Sequence, residues 1–317
     1  MILIVGHHAD PHVASVVQSL TRCGHQFSIL DSFDRSSGGV HHQISAGAVL
    51  DIGGPKKRLT EFSAVWWRQK PRFVVPTETP AVLYDYFFVH REWNHLIDYL
   101  GVETAHIFSI NVREKTATAN NKITQLKVAV ESGFAVPQSL ISNDVDSVID
   151  FVSKAAGKKC VYKPFTPYMP PSGLITYTSE VDIQLLRENR ETIRAAPGIF
   201  QVFVEKQFEL RITVVGSDVF AARINSHHSS NTEIDWRREV FADMYSRYEL
   251  DGAFREKLLA LHRRFGLFYA AYDFIMDETG IPVLLDVNPA GQWMWLESRL
   301  GFPIGERIAA ALADPPG

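Results

Sequence analysis

The chain has 317 residues, 46% of them hydrophobic, with 32 basic against 36 acidic side chains and a formal net charge of -4. That is enough chain to bury a large core over two or three domains, while the mild acidity and the lack of a long basic run or zinc-finger spacing exclude a general nucleic-acid binder. Two cysteines, Cys23 and Cys160, make no disulfide framework; no apolar run is long enough to span a bilayer, and the start MILIVG has no basic n-region, so a cytoplasmic protein without a membrane partner is expected.

Residues 1–105 predict a small α/β unit. MILIVG is a strand, PHVASVVQSLTRCG a helix ending at Gly24 and HQFSILD a second strand. Two shorter strands follow in SAGAVLDI and SAVWWRQ, then an aromatic-rich helix from about Pro80 to Leu100. The turn GHHADPH lacks the glycine spacing of a dinucleotide fingerprint, so a Rossmann-type cofactor is not expected. ETAHIFSINVREKTATAN reads as a linker. NNKITQLKVAVESGF is a helix of period 3.6 with Ile123, Leu126, Ala129 and Val130 apolar, ending at Gly133. VPQSLIS and KKCVYKPF are strands around the helix NDVDSVIDFVSKAAG, and TPYMPPSGLITYT is a loop. FQVFVEKQFELRITVVGSDVFAARI holds two strands turning at Gly216-Ser217. The polar stretch NSHHSSNTEIDWRREV interrupts the pattern, and GAFREKLLALHRRFG is an amphipathic helix. AAYDFIM and PVLLDVNPAG then pair as a hairpin around DETG, before a short final helix; there is no internal repeat.

The hairpin carries the chemistry. A four-residue loop sets Met276 against Ile281 and Asp273 against Leu284, so that Asp286 is the diagonal neighbour of Asp273 and Asn288 shares its face. Two carboxylates and one amide on one patch make a hard-cation oxygen site, of the kind that holds Mg²⁺ and leaves places for phosphate and water. The plainer alternative is a turn acid and an acid paired with an arginine. Lys163 projects from a strand just before Pro164, and Lys122 opens a helix; each alone reads as a surface charge, but beside a metal site both suit phosphate. Extended backbone at Gln201, Val202, Phe203 and Val204 can offer a carbonyl and an N–H to adenine, with Phe203 against the ring. Glu209 can accept from ribose hydroxyls. Arg211, with Arg223 as its counterpart on the next strand, can face a phosphate or acyl phosphate. An ordinary salt-bridged sheet would use the same residues.

Other reactive side chains read as structural. Cys160 lies in an apolar run and is expected in the core. His7, His8 and His12 gather at the end of the first strand, and His227 and His228 follow the strand of Arg223. A zinc site needs partners that the sequence does not specify, so structural or surface roles are expected. Trp66, Trp67 and Arg68 read as core and domain-interface residues.

The pieces NNKITQL, VYKPF, QVFVEKQFELRITVVG, AYDF and LLDVNPAG together resemble, in order and spacing, the ATP-grasp superfamily. Within it the chain is similar to the graspetide (microviridin-type) maturases, ribosomal-peptide macrocyclising ester and amide ligases. SAVWWRQKP, NKITQLKVAVESGFAVPQSLIS, FELRITVVGSDVFAARINS, IDWRRE and DVNPAGQWMWLE carry that resemblance over almost the whole chain. It implies an α/β (α+β) ATP-grasp fold with a Rossmann-like pre-ATP-grasp domain (1–105), a central subdomain (106–200) and a C-terminal subdomain with the Mg²⁺ site (201–317). The nucleotide would lie between the last two.

By the same resemblance Lys122 and Lys163 are the ATP lysines, Ser172 and Gly173 lie in a loop that closes over phosphates, and Gln201–Val204 is the adenine hinge. Glu209 binds ribose, Asp273, Asp286 and Asn288 hold Mg²⁺, and Arg211 and Arg223 attend the reacting phosphoryl group. His228 would steer substrate or accept a proton. Asp235, Trp236, Arg237 and Arg238 are candidates for peptide contact, the alternative being a surface helix with a packed tryptophan. Two departures stand out: Val202 replaces a frequent Glu, and Asp286 replaces the usual Glu, shortening that ligand by one methylene. The implied reaction is carboxylate activation by ATP to an acyl phosphate, followed by attack of a hydroxyl or amine. The implied partner is a ribosomal precursor peptide with leader and core, and a homodimer is compatible with the resemblance. Addition of a free amino acid to a carboxylate, phosphorylation without ligation, and a non-catalytic peptide-binding module are the alternatives.

Overall fold

The computed structural model describes residues 1–31, 39–44, 47–52, 56–68, 80–155, 157–166, 178–225 and 244–316. The N-terminal strands β1 (Ile2–Val5) and β2 (Phe27–Leu30) flank the helix α1 (Pro11–Arg22). A small antiparallel sheet of β3 (Gly39–Gln43), β4 (Gly47–Asp51) and β5 (Lys57–Arg58) follows, then β6 (Ala64–Trp67), the helix α2 (Pro80–Glu103) and β7 (Phe108–Ile110). β1, β2, β6 and β7 pair in parallel in the order β2-β1-β6-β7. The segment expected to be a linker therefore holds the edge strand of this sheet and a helix, α3 (Arg113–Asn120). Three strand residues are too short a run to show a period.

The helix α4 (Lys122–Glu131) begins on Asn121, whose side chain accepts from the Thr124 N–H. Its buried face differs from the expectation: Ile123 and Val130 are exposed, whereas Gln125 and Ala129 are buried. Polar contacts decide the rotation. Gln125 Nε2 donates to the carbonyls of Ala119 and Val287 at 2.6 and 2.7 Å, and its Oε1 accepts from the Val287 N–H at 3.1 Å. The side-chain amide thus pairs with strand backbone as a neighbouring strand would, and fixes Lys122 beside the C-terminal hairpin.

A second, antiparallel sheet has the order β10-β9-β11-β8, built from β8 (Ser139–Ser142), β9 (Cys160–Lys163), β10 (Ser179–Val181) and β11 (Gly198–Val202). Its helices are α5 (Val145–Ser153), α6 (Ile183–Glu188) and α7 (Arg190–Ala195), with Val148, Leu186 and Phe200 at the centre of the packing. Cys160 is in the core as expected, beside Ala155 and Val202, where burial raises its thiol pKa.

The third sheet is antiparallel, in the order β14-β13-β12-β15-β16. Its strands are β12 (Lys206–Val215), β13 (Asp218–Ile224), β14 (Tyr245–Arg247), β15 (Tyr269–Asp277) and β16 (Pro282–Asn288). One face, with Leu210, Ile212, Val214, Tyr272, Phe274 and Leu284, packs on the helix α8 (Gly252–Phe265) through Phe254, Leu258, Leu261 and Phe265. The opposite face is apolar at one end, where Val215, Ala222 and Tyr269 meet Trp293, the helices α9 (Met294–Leu300) and α10 (Ile304–Ala313), and the N-terminal sheet. Its other end is polar. Among the described residues no helix is long and apolar enough to cross a membrane.

One buried histidine makes the core sensitive to acid. His262, on α8, has Nδ1 2.8 Å from the Tyr272 hydroxyl. Burial pushes its pKa down from 6.5 to about 4. A protonated ring is tolerated in the unfolded chain but not in the folded one. Stability is therefore complete above the unfolded value and is lost as pH falls from there toward the folded value; the loss at about pH 5 is roughly 2 kcal/mol. Urea titrations at neutral pH and at about pH 5 should show this drop in the native chain and a much smaller one in His262→Gln.

Candidate active site

The polar end of the third sheet is assembled by cross-strand register. Asp273 on β15 lies directly opposite Arg211 on β12 and Asp286 on β16, and Ala271 lies opposite Asn288. Direct partners share a face, so Arg211, Asp273, Asp286 and Asn288 all do. The hairpin register differs from the expected one: Met276 pairs with Pro282 and Phe274 with Leu284, and the ladder then shifts between Phe274 and Asp273. Leu285 is the extra residue of that bulge. If the Phe274–Leu284 register continued unshifted, Asp286 would oppose Tyr272 and point into the core; the bulge re-aims it onto the polar face.

Each carboxylate is matched by a cation. Arg211 Nη1 donates to both oxygens of Asp273 at 2.7 and 2.8 Å, and its Nη2 donates to the Gln292 carbonyl at 3.3 Å. Burial alone works against the guanidinium charge, but the Asp273 carboxylate outweighs it and raises the Arg211 pKa. Lys122 Nζ donates to Asp286 Oδ1. Lys122 is the first residue of α4, where the helix dipole disfavours a positive charge; an acid in reach compensates. Arg223 differs from the expectation. It pairs with Leu210, not with Arg211, so it projects from the opposite face, where its guanidinium lies 4.1 Å from the centre of the Phe208 ring.

The loop after Asn288 is fixed at every residue. The Asn288 side chain accepts from the Ala290 N–H at 3.2 Å. The Pro289 carbonyl accepts from Asn111 Nδ2 at 3.0 Å, and that of Ala290 from Arg68 Nη1 at 2.8 Å. The Gly291 carbonyl accepts from the Tyr269 hydroxyl at 2.8 Å, and the Trp293 N–H donates to His12 Nε2 at 3.1 Å. His12 is held in turn by Asp10, 2.6 Å from Nδ1, and Asp10 also pairs with Arg68 at 3.1 Å. Burial tends to raise the Asp10 pKa, but the His12 hydrogen bond and the Arg68 charge win and hold it well below the usual carboxylate range. Arg68 and His12 thus have the interface and structural roles expected. A Cβ at Gly291 would sit 2.4 Å from Ala271 Cβ and 3.1 Å from Arg211 Nη2. Since Ala271 is fixed in β15, Gly291→Ala is expected to cost about 1–3 kcal/mol as the loop shifts; a urea titration equal to that of the native chain would contradict this.

Beside this face a cleft opens between the second and third sheets. Lys163, Gln201, Val202, Phe203 and Val204 line one side, and Lys206, Glu209, Ile275 and Leu285 the other. The N–H groups of Val202 and Phe203 are committed to the carbonyls of Gln138 and Lys159, at 3.0 and 2.8 Å. Val204 is therefore the hinge residue whose N–H remains available among the described contacts. Gln201 Oε1 is buried there with no hydrogen-bond partner among the described residues, while its Nε2 donates to Ser139 Oγ at 2.9 Å. Glu209 Oε1 accepts from Lys206 Nζ at 2.7 Å, both side chains being less than a tenth exposed. Lys206 was not a sequence candidate. Three residues apart on a regular strand they would face opposite sides; a register shift between Lys206 and Phe208 brings them together. Ser172, Gly173, His228, Asp235, Trp236, Arg237 and Arg238 lie outside the described residues.

A Chryseobacterium gregarium RiPP-associated ATP-grasp ligase, solved with ADP and a leader and core peptide, is 26% identical to this chain, with a TM-score of 0.84 over 100% of this chain and 97% of its own. The chain has the ATP-grasp fold. It is also 28% identical to the macrocyclase MdnC of Microcystis aeruginosa MRC, solved with its precursor peptide MdnA, with a TM-score of 0.82 over 98% of each chain. The D-cycloserine synthetase DcsG shares the fold at 13% identity, with a TM-score of 0.60 over 98% of this chain and 99% of its own. No protein-family model and no curated protein sequence matches the chain. Its resemblance to the graspetide-type ATP-grasp macrocyclases runs along its whole length.

Proposed function

We propose that the chain is an ATP-dependent ligase that activates Asp or Glu side chains of a ribosomal precursor peptide as acyl phosphates and closes intramolecular ester or amide bonds. The observation that carries this reading is the shared sheet face of Arg211, Asp273, Asp286 and Asn288, with Lys122 reaching into it, beside a cleft lined by Lys163, Lys206 and Glu209. The precursor, leader and core peptides bound to the two relatives above favour a peptide substrate here.

In this reading adenine takes the inner end of the cleft. Val204 N–H faces a ring nitrogen, the unpartnered Gln201 Oε1 accepts from the exocyclic amine, and Phe203, Ile275 and Leu285 supply apolar contact. Glu209 meets the ribose hydroxyls, and Lys163 and Lys122 neutralise phosphate charge. The donor set of Asp273, Asp286 and Asn288, two carboxylates and an amide oxygen, suits Mg²⁺. Mg²⁺ held there would supply a hard cation that offsets phosphate charge. Arg211 Nε is buried with no hydrogen-bond partner among the described residues. A phosphoryl or substrate carboxylate oxygen would satisfy that donor. The substrate carboxylate oxygen attacks the γ-phosphorus as the bond to the bridging oxygen breaks, giving acyl phosphate and ADP. A hydroxyl or amine then attacks the acyl carbon, loses its proton and expels phosphate.

The test is mass spectrometry of a candidate precursor, a small peptide with a leader and an acidic core, after incubation with the protein, Mg²⁺ and ATP. Loss of one water per bond, with one ADP released for each, is expected. A gain of one amino-acid residue would establish addition of a free amino acid instead, and a stable gain of a phosphoryl group would establish a kinase.

A further inference from the structure

The N-terminal sheet ends in a cluster that the ligase reading does not use. β1 is followed by Gly6, His7 and His8, and β2 by Asp31. These are the carboxyl ends of parallel strands, the edge at which open α/β sheets bind ligands. His7 Nδ1 lies 2.6 Å and His8 Nδ1 2.8 Å from the same oxygen, Asp31 Oδ2, which also accepts the His8 backbone N–H at 3.1 Å. The ligand atoms of all three side chains lie within 4.8 Å of one another.

We propose that His7, His8 and Asp31 form a site for a borderline divalent cation of the zinc class. The sequence showed two adjacent histidines without a third partner, and the fold supplies it from the next strand. As hydrogen bonds alone the arrangement is crowded: two ring N–H groups and a backbone N–H converge on one oxygen of Asp31. A cation in place of the two ring protons turns the same approach into coordination. Metal–nitrogen and metal–oxygen distances of about 2.0–2.2 Å in a tetrahedron set ligand atoms about 3.3 Å apart, so a small outward shift of each ring suffices.

The donors also define the ion. Two imidazoles and one carboxylate select zinc, cobalt or nickel, not Mg²⁺, which prefers oxygen throughout. Among the described residues three ligands meet here, which leaves a fourth place in a tetrahedron. The Asp31 side chain is 3% exposed and that of His8 58%, so the open side faces solvent, where water or an anionic group of a partner molecule would complete the shell. The ion would brace the turn from His7 to Asp10, and Asp10 holds both His12 and Arg68.

Titration of the metal-stripped full-length protein with Co²⁺, in the absence of nucleotide, tests this. We expect one Co²⁺ per chain to give the visible absorption of tetrahedral cobalt, Zn²⁺ to abolish the band and excess Mg²⁺ to leave it unchanged. His8→Ala, which alters an exposed side chain, should weaken binding by more than about tenfold. His7→Ala combined with His8→Ala should remove the band, and His41→Ala should leave it. Absence of the band in the native protein, or its survival in the double variant, would overturn the proposal and leave Asp31 as a hydrogen-bonded acid only.

Discussion

Asp286→Ala is expected to lower ATP turnover by about 10²–10⁴-fold, the effect of losing several kcal/mol of metal and phosphate stabilisation. Asp286 is the group on which two parts of the proposed site meet: it opposes Asp273 across the hairpin and it receives Lys122. Truncating it removes a carboxylate ligand and leaves the Lys122 ammonium without that acid. The side chain is about a quarter exposed, so the fold should persist. ADP release measured over a Mg²⁺ series would read the effect. A loss of turnover that high Mg²⁺ only partly restores is expected. Asp286→Glu, which keeps the charge and lengthens the ligand, should retain far more activity. Turnover by Asp286→Ala equal to that of the native chain would remove Asp286 from the metal site.

Arg211 gives the second large effect. Arg211→Ala is expected to cost about 10³-fold or more in turnover, as for other arginines that stabilise a transferring phosphoryl group. The guanidinium bridges Asp273 and the Gln292 carbonyl, and its Nε has no partner among the described residues. An ammonium has no planar fork with which to reproduce that set. Arg211→Lys should therefore keep the affinity for ATP close to native, since the charge stays, and lose kcat, since the geometry goes. Steady-state kinetics separate the two. A variant that raised only KM, with kcat intact, would make Arg211 a binding residue that does not distinguish the transition state.

The arrangement of β12 was legible because its residues alternate strictly: Glu209, Arg211 and Thr213 go one way, and Leu210, Ile212 and Val214 the other. The same rule shows why Arg223 was misplaced. A two-residue turn at Gly216-Ser217 sets Val215 against Asp218, and counting back from it pairs Arg211 with Ala222. The signal was present in the turn length. The hairpin acids were found on the correct face through an incorrect register, because the wrong loop length and the unseen bulge at Leu285 compensated. Bulges have no reliable signature in a single sequence, and the one near Lys206 hid its pairing with Glu209. α4 was rotated by Gln125, a polar residue that a hydrophobic period counts as outward-facing. The anchoring of residues 289–293 was out of reach for a different cause: its partners Arg68, Asn111, Arg211, Tyr269 and His12 are all distant in the chain, and all but His12 bind carbonyl oxygens, which every residue has.

Activation of a peptide carboxylate as an acyl phosphate leaves its mark on the fate of the carboxylate oxygen. A precursor peptide with heavy oxygen in its acidic side chains would be incubated with the protein, Mg²⁺ and ATP, and the released phosphate weighed by mass spectrometry. One labelled oxygen in phosphate for each bond closed is the predicted result. Bond closure with unlabelled phosphate would contradict it, since the carboxylate oxygen would then have left by a route that never joined it to phosphorus.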